Sequence, residues 1–273
     1  LMVAMVNPNM PFMEGNAQVN DDFFDIILDD ETLYYQPFAT PRAAINVTDY
    51  NIGLLASSLI KDGGTLQVGI GSLGDALVYS TQLRHANNSA YKDILNSLGI
   101  DKKFNNVITK VGDTAPFKQG LYAASEMFVE GFAHLYEANI LKRKVYPDAQ
   151  IQALINQGLV TEKIQTNIIE ILLQNNVIDE FITKRQFTRL QNLGILKQEL
   201  KMSDGFLIDS DGNKYKTDLF NYSHIKAIQN HCLGDFLKQG TLLHGAFFLG
   251  SPWFYDWLKK LDKQHQQLFQ MTA

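Results

Sequence analysis

The chain has 273 residues, of which 45% are hydrophobic and 19% charged, with a formal net charge of -5. This length and composition suit a folded protein of one large or two small domains and exclude a disordered or low-complexity chain. Scattered Lys and Arg provide no basic face for nucleic acid, and no apolar run is long enough for a membrane span. The single cysteine, Cys232, cannot form an internal disulfide. These features predict a cytoplasmic protein without nucleic-acid or membrane partners.

The first 48 residues predict the tail of a preceding domain followed by a linker. Residues 1–6 are an apolar, strand-like run, and residues 36–42 form a short connection that contains proline. The abrupt apolar start, and an equally abrupt end inside the helix-like residues 266–273, favour a piece of a longer protein. Residues 49–273 are then expected to be a C-terminal domain that is incomplete at its C-terminal end.

A helix, a strand, a tight turn and a second helix are predicted next. Thr48 is a candidate N-cap for a helix over residues 49–60, whose apolar residues keep helical spacing. Residues 65–70 are rich in β-forming side chains, and residues 75–85 again have a helical pattern. The chain therefore predicts a strand, a glycine-rich turn and a helix in immediate succession.

The glycine-rich turn is the first candidate binding element. Gly69, Gly71 and Gly74 follow the spacing G-x-G-x-x-G, and bare backbone N–H groups at a helix start favour an anionic ligand. A dinucleotide fold would add an acidic residue at the end of the next strand, whereas Asp93 lies in a helix-like stretch. A structural turn and a nucleotide site both remain open at this point.

The next segments are predicted as strands over residues 104–111 and 120–124 and a helix over residues 127–141. Glu126 lies between the second strand and the helix, so its carboxylate is a candidate ligand-facing group at a strand end. A plain helix N-terminal charge is the commoner role for such a residue. Glu130 and Glu137 are assigned to the solvated side of the helix.

The remaining residues predict structure more than chemistry. Residues 145–196 mix short strand and helix patterns, as in an α/β domain, and no internal repeat of fixed period is apparent. Residues 209–213 predict a hairpin turn, since Gly212 falls too early for a calcium loop and no Glu closes it. The six histidines lack metal-ligand spacing, so no metal site is predicted, and His244 is assigned to a buried strand in preference to a binding loop.

Two segments resemble the acetyl-CoA hydrolase/transferase family, which includes the 4-hydroxybutyrate and acetate CoA-transferases. They are residues 65–77 (TLQVGIGSLGDAL) and residues 120–135 (GLYAASEMFVEGFAHL). Residues 3–12 resemble the end of the family's first domain, and residues 244–258 resemble an insertion of its longer members. The resemblance implies an α/β fold with an open, mostly parallel sheet and flanking helices, and an acyl-CoA site between two such domains.

The resemblance also implies a reaction. Glu126 matches the family's nucleophile, which forms a glutamyl-CoA thioester before an incoming carboxylate, or water, completes transfer or hydrolysis. Coenzyme A is then a substrate, no cofactor is bound permanently, and the partners are an acyl-CoA and a small carboxylate, as in acetate metabolism. A homodimer follows from the same analogy. The implied CoA contacts are Gly69, Ile70, Gly71, Ser72 and Leu73.

Two departures from the family bear on activity. A long polar segment, residues 84–119, separates the glycine turn from Glu126, and the family's later Gly-Gly-Gln segment is absent. The chain is therefore expected to be inactive by itself. Two other functions remain open: a nucleotide-dependent oxidoreductase that uses the glycine turn, and a non-catalytic CoA-binding domain.

Overall fold

The computed structural model describes residues 1–41 and 43–272, and residue 42, the last of the predicted linker, lies outside the described residues. The chain forms two compact units, unit 1 (Leu1–Lys144 and Thr241–Ala273) and unit 2 (Val145–Gly240). The strands and α-helices in chain order are β1 (Val3–Met5), β2 (Ile26–Leu28), α1 (Val47–Ser57), β3 (Thr65–Leu66), α2 (Ser72–Ala86), α3 (Asn88–Ser97), α4 (Ile100–Val111), β4 (Tyr122–Val129), α5 (Glu130–Glu137), α6 (Ala149–Asn156), α7 (Ile168–Gln174), α8 (Lys184–Asn192), β5 (Lys201–Ser203), β6 (Phe206–Ile208), β7 (Lys214–Lys216), α9 (Tyr222–His231), β8 (Leu243–Leu249), α10 (Pro252–Lys260), α11 (Lys263–Gln266) and β9 (Phe269–Met271).

Unit 1 is built on a parallel sheet of four strands in the order β3-β4-β8-β9. Helices follow β3, β4 and β8 directly, and the buried side chains of α2, α5 and α10 join those of the strands in one core cluster. The predicted fold class, an open parallel sheet with flanking helices, is thus confirmed. The domain boundary predicted between residues 48 and 49 stays a prediction. Residues 1–48 fall within the same compact unit as the sheet.

Aromatic packing fills the core of unit 1. The Phe128 ring on β4 is fully buried, lies 5.0 Å from the Phe269 ring in a stacked arrangement and meets the Phe254 ring edge-on at 5.1 Å. Such pairs add stabilisation beyond the burial of their area. One side chain of β4 therefore contacts both β9 and α10.

A buried guanidinium ties the helices beside the sheet to the loops that lead into it. Arg84 on α2 has no exposed surface, and it donates to the carbonyl oxygens of Ser57, Ile60 and Ala115. Its guanidinium also lies 4.2 Å from the centre of the Phe117 ring. Its Nη2 makes no hydrogen bond and lies 3.8 Å from a carboxylate oxygen of Asp113. Because a buried charge is costly unless it is paired and hydrogen bonded, these carbonyls and Asp113 must stay in place.

Two predictions about the helices of unit 1 are corrected. The N-cap of α1 is Asn46, whose side chain accepts from the Asp49 N–H, and not Thr48. Residues 104–111 belong to the helix α4 and not to a strand, because Ile100, Phe104 and Ile108 repeat every fourth residue and turn one face inward. The apolar, partly β-branched composition of this segment had favoured a strand.

The strand that contains Glu126 is longer than predicted. Instead of ending at residue 124, β4 continues to Val129, and α5 occupies only Glu130–Glu137 of the helix predicted over residues 127–141. Residues 127–129 pair with Phe247–Leu249 of β8, far away in the sequence. This pairing overrides the local helical pattern.

Unit 2 has its own hydrophobic core, drawn entirely from residues between Tyr146 and Leu237. It contains the helices α6 to α9 and a three-stranded antiparallel sheet, β5-β6-β7. Residues 145–196 form three helices joined by loops, and the only pairing of these residues in a sheet is through isolated bridges, so the mixed strand and helix prediction was wrong there. The predicted hairpin turn at residues 209–213 is confirmed between β6 and β7.

The structure reveals a repeat that is not apparent in the sequence. The helices α5 to α8 each end in the same pattern, a Leu, three variable residues, a Gly or Asn with positive φ, and two apolar residues. The residue after each positive-φ position donates to the Leu carbonyl at 2.9 Å, which closes a Schellman-type turn. The positive-φ positions are Asn139, Gly158, Asn176 and Gly194. A spacing of 18 or 19 residues made the pattern hard to detect as a fixed period.

Replacing Arg84 with alanine should destabilise unit 1 strongly, by about 3 to 5 kcal/mol, because three buried carbonyls lose their donor and a cavity opens. Lys92→Ala on the exposed side of α3 is the control and should change stability by less than about 0.5 kcal/mol. Urea unfolding of both variants measures the difference, and equal midpoints would contradict the assigned role of Arg84.

The repeat provides a matched pair of glycine substitutions in unit 2. Gly158 and Gly194 both have a left-handed φ, but a Cβ at Gly158 meets nothing within 4 Å, whereas one at Gly194 would lie 2.5 Å from the Phe236 carbonyl oxygen. Gly158→Ala should therefore cost about 1 to 2 kcal/mol from backbone strain alone. Gly194→Ala should cost clearly more. Urea denaturation that ranks the two variants the other way would refute this difference in packing.

Candidate functional site

The glycine turn lies between β3 and α2, and its three glycines serve different purposes. Gly71 is the N-cap of α2 and has a φ of 103°, a conformation that favours glycine. A Cβ on Gly74 would lie 2.5 Å from the Gly69 carbonyl oxygen, so this position must be small for the turn to close. Gly69 has an ordinary φ, and a Cβ added there would meet nothing within 4 Å. The fold itself therefore does not require glycine at position 69.

A narrow cleft with a volume of about 30 Å³ opens beside this turn. It lies at the carboxyl ends of three neighbouring parallel strands, the edge where open α/β sheets bind ligands. The residues that line it are Thr40, Pro41, Val68, Gly69, Ile70, Gly71, Gly74, Asp75, Val78, Val129, Glu130, Gly131, Leu249 and Gly250.

An aspartate keeps the entry segments of β3 and β4 side by side. Asp62, just before β3, accepts from the backbone N–H groups of Lys118, Gln119 and Gly120, which precede β4, and from that of Gly63. Burial raises the pKa of the Asp62 carboxyl, but the four N–H donors outweigh it and the pKa is lowered. The glycine turn and Glu126 thus extend from strands that start in a fixed relation.

The structure brings only part of the predicted site together. Gly69, Ile70 and Gly71 line the cleft, whereas Ser72 and Leu73 do not. Glu126 lies inside β4, exposed and outside the lining of this cleft. Its role as nucleophile, and the five CoA contacts, stay predictions.

Two carboxylates line the cleft, Asp75 and Glu130, and the sequence pattern assigned Glu130 to the solvated side of a helix. Its side chain is only 12% exposed, and one carboxylate oxygen accepts from the Ser251 N–H at 3.3 Å. The other oxygen lies 3.5 Å from Nε2 of His134, one helical turn later. A glutamate at the first position of a helix that follows a strand was the only sequence signal for this residue, and Ser251 is too distant in the sequence to be anticipated.

His134 and Glu137 extend the contact between α5 and α10. The His134 ring stacks on the Trp253 ring at 4.8 Å, and the exposed Glu137 accepts from Nε1 of Trp257 at 2.7 Å. A second basin next to the cleft shares Glu130 and Gly131 with it and is bordered by His134.

His244 and Tyr122 form a separate pair near the starts of β8 and β4. Their side chains are hydrogen bonded at 2.7 Å, with burial lowering the pKa of His244 and raising the pKa of Tyr122. His244 lies in a strand, as predicted, and neither residue lines the glycine cleft.

The described residues were also compared with the requirements of a metal site, a membrane helix and a dinucleotide site. Among the residues that the structure describes, no group of three His, Cys, Asp or Glu side chains could hold a metal ion. Asp209 in the hairpin turn accepts from the backbone N–H groups of Asp211 and Asn213, from the Asn213 amide and from the Tyr215 hydroxyl. Within the described part of the chain, no helix combines the length and apolarity needed to cross a membrane. Asp93 lies in α3, as the sequence pattern indicated, and therefore not at the end of a strand.

No family model matches the chain. Over 93 residues it is 30% identical to a succinyl-CoA:acetate/propanoyl-CoA:succinate CoA transferase of Fasciola hepatica. This similarity supports a CoA-transferase family assignment. The matched segment is 34% of this chain but 19% of the relative, so the chain spans about a fifth of that CoA transferase's length. Among solved structures, the 4-hydroxybutyrate CoA-transferase of Porphyromonas gingivalis aligns with 52% of this chain and 27% of its own, at 23% identity and a TM-score of 0.34.

The different roles of the glycines lead to a test of the cleft. Gly74→Ala should destabilise unit 1 by about 1 to 3 kcal/mol, because its methyl group would collide with the Gly69 carbonyl. Gly69→Ala should leave the thermal unfolding midpoint unchanged, because its methyl group would meet no atom within 4 Å, and the predicted CoA contact at this position implies that the variant binds CoA more weakly. Calorimetric titration and thermal unfolding of both variants check this, and undiminished CoA binding by Gly69→Ala would mean that CoA does not contact this turn.

Proposed function

We propose that this chain is part of a CoA-transferase that moves coenzyme A from an acyl-CoA to a small carboxylate. The proposal depends mainly on the sequence similarity to the Fasciola hepatica CoA transferase. The cleft at the carboxyl edge of a parallel sheet, with a glycine turn on one wall, is compatible with a ligand of this kind. Hydrolysis of the acyl-CoA is the outcome when water replaces the acceptor.

In the proposed mechanism Glu126 is the nucleophile. A carboxylate oxygen of Glu126 attacks the thioester carbon, the C–S bond breaks, and CoA leaves as a thiolate with a mixed anhydride on the enzyme. The thiolate then attacks the glutamyl carbonyl and expels the acyl group as a carboxylate, which leaves a glutamyl-CoA thioester. An acceptor carboxylate reverses these two steps and departs as the new acyl-CoA.

The position of Glu126 suits such a role in two respects. It lies in β4 between Ser125 and Met127, which both pair with β8, so its backbone is held on a rigid element. Its side chain is exposed and therefore accessible to a substrate. Exposure also lets water reach an intermediate, so exclusion of water is left to other parts of the protein.

The N-terminal residues support the proposal that the chain completes a larger assembly of domains. β1 and β2 form a two-stranded parallel sheet whose six residues are exposed or half-buried, among them Met5 and Ile27. Parallel sheets occur almost only with both faces covered. We propose that this ribbon belongs to the preceding domain of the sequence-based division, and that the chain alone lacks the groups needed for turnover.

Covalent trapping at Glu126 tests the proposed mechanism. The full-length polypeptide that carries this chain is incubated with acetyl-CoA and treated with borohydride, which reduces a glutamyl thioester, and its peptides are analysed by mass spectrometry. The peptide with Glu126 should be modified, and Glu126→Gln should lower the transfer rate by at least about a thousandfold.

Glu130→Gln is the matched control, because the modification should remain at Glu126 when the neighbouring carboxylate is removed. Label at Glu130, or at no residue in a protein that binds CoA, would exclude Glu126 as the nucleophile.

A further inference from the structure

The contacts of Glu130 cross the sheet edge. Glu130 is the first residue after β4, and its carboxylate accepts from the N–H of Ser251, which is the N-cap of α10 after β8. One side chain thus joins the two places where adjacent parallel strands pass into their helices. Both places contribute residues to the floor of the glycine cleft.

The elements around Glu130 are tightly packed against their neighbours. The hydrogen bond between Glu130 and Ser251 is therefore expected to affect mainly the shape of the cleft. A Cβ on Gly131 would lie 2.8 Å from the Val78 side chain, and one on Gly250 would lie 2.4 Å from the Phe254 ring. α5 therefore packs closely against α2, and the turn before α10 packs closely against the first residues of α10. β4 and β8 are paired up to Val129 and Leu249, and beyond this pair the Glu130 carboxylate holds the turn between β8 and α10 against the start of α5.

We propose that Glu130 is a positioning residue of the glycine cleft. By holding the Ser251 N–H, its carboxylate keeps the turn after β8, which contributes Gly250 to the cleft, in the position that lets an acyl-CoA lie against Gly69 and Gly71. This inference rests on the proposed function for the identity of the ligand. Glu130 acts through the Ser251 backbone and takes no part in bond making.

The variants follow from the geometry. Glu130→Ala removes the acceptor, whereas Glu130→Gln keeps a side-chain oxygen that can accept from the Ser251 N–H. Glu137→Ala is the matched control, because Glu137 also joins α5 to α10 by a hydrogen bond to Trp257 but lies outside the residues that line the cleft. A general loosening of the two helices would affect both positions alike.

The measurements are amide hydrogen exchange at Ser251 and the affinity for acetyl-CoA, both on the full chain. Glu130→Ala should speed exchange at Ser251 and weaken acetyl-CoA binding about tenfold or more, since small misplacements in a binding site are costly. Glu130→Gln should restore most of the affinity, and Glu137→Ala should match the unmodified chain in both measurements.

The outcomes separate this inference from the proposed function. Unchanged exchange at Ser251 in Glu130→Ala, or an equal loss of affinity in Glu137→Ala, overturns the positioning role. A Glu130→Gln variant as impaired as Glu130→Ala also overturns it, because the charge would then matter and not the hydrogen bond. An unmodified chain that does not bind acetyl-CoA, while Ser251 exchange still responds to Glu130, overturns the ligand assignment and leaves the contact intact.

Discussion

The buried guanidinium of Arg84 is the constraint on which the rest of unit 1 depends. A charge without access to water must be matched by fixed acceptors, and here they are backbone carbonyls that end α1 and precede β4. Burial lowers the pKa of Arg84, and the charges of Tyr91 and Asp113 act against this. The helix that carries Arg84, α2, begins at the glycine turn. The same residue therefore holds the segments that lead into β3 and β4.

Some of the glycines that line the cleft are required by the fold, and one is not. Gly71 and Gly74 are needed for φ and for close approach, whereas Gly69 has room for a side chain. The carboxylates divide similarly: Glu130 is engaged by the backbone across the cleft, and Glu126 is exposed on its strand.

The parts of the structure that could be predicted from the sequence are those set by local patterns. The succession of strand, glycine turn and helix at residues 65–85 was recognisable because each signal lies within a few residues. Residues 127–129 were misassigned because their partners, Phe247–Leu249, lie far along the chain. The role of Glu130 was hidden for the same reason, since Ser251 comes 121 residues later. Residues 104–111 of α4 were misassigned because they include β-forming side chains. Their apolar residues recur every fourth position, and in the structure this face of the helix packs inward.

Unit 2 is inserted in the chain between β4 and β8 of unit 1. β4 and β8 are adjacent and parallel, so they need a crossover connection, and α5 provides a helix for it. The entropy cost of closing the loop between α5 and β8 grows only slowly with the number of residues in it. A long insertion is therefore tolerated there, provided that the inserted residues fold by themselves. Unit 2 meets this condition because its core is drawn from its own residues. Its helices continue the turn pattern with which α5 ends, so the crossover helix and unit 2 share one local design, repeated along the chain.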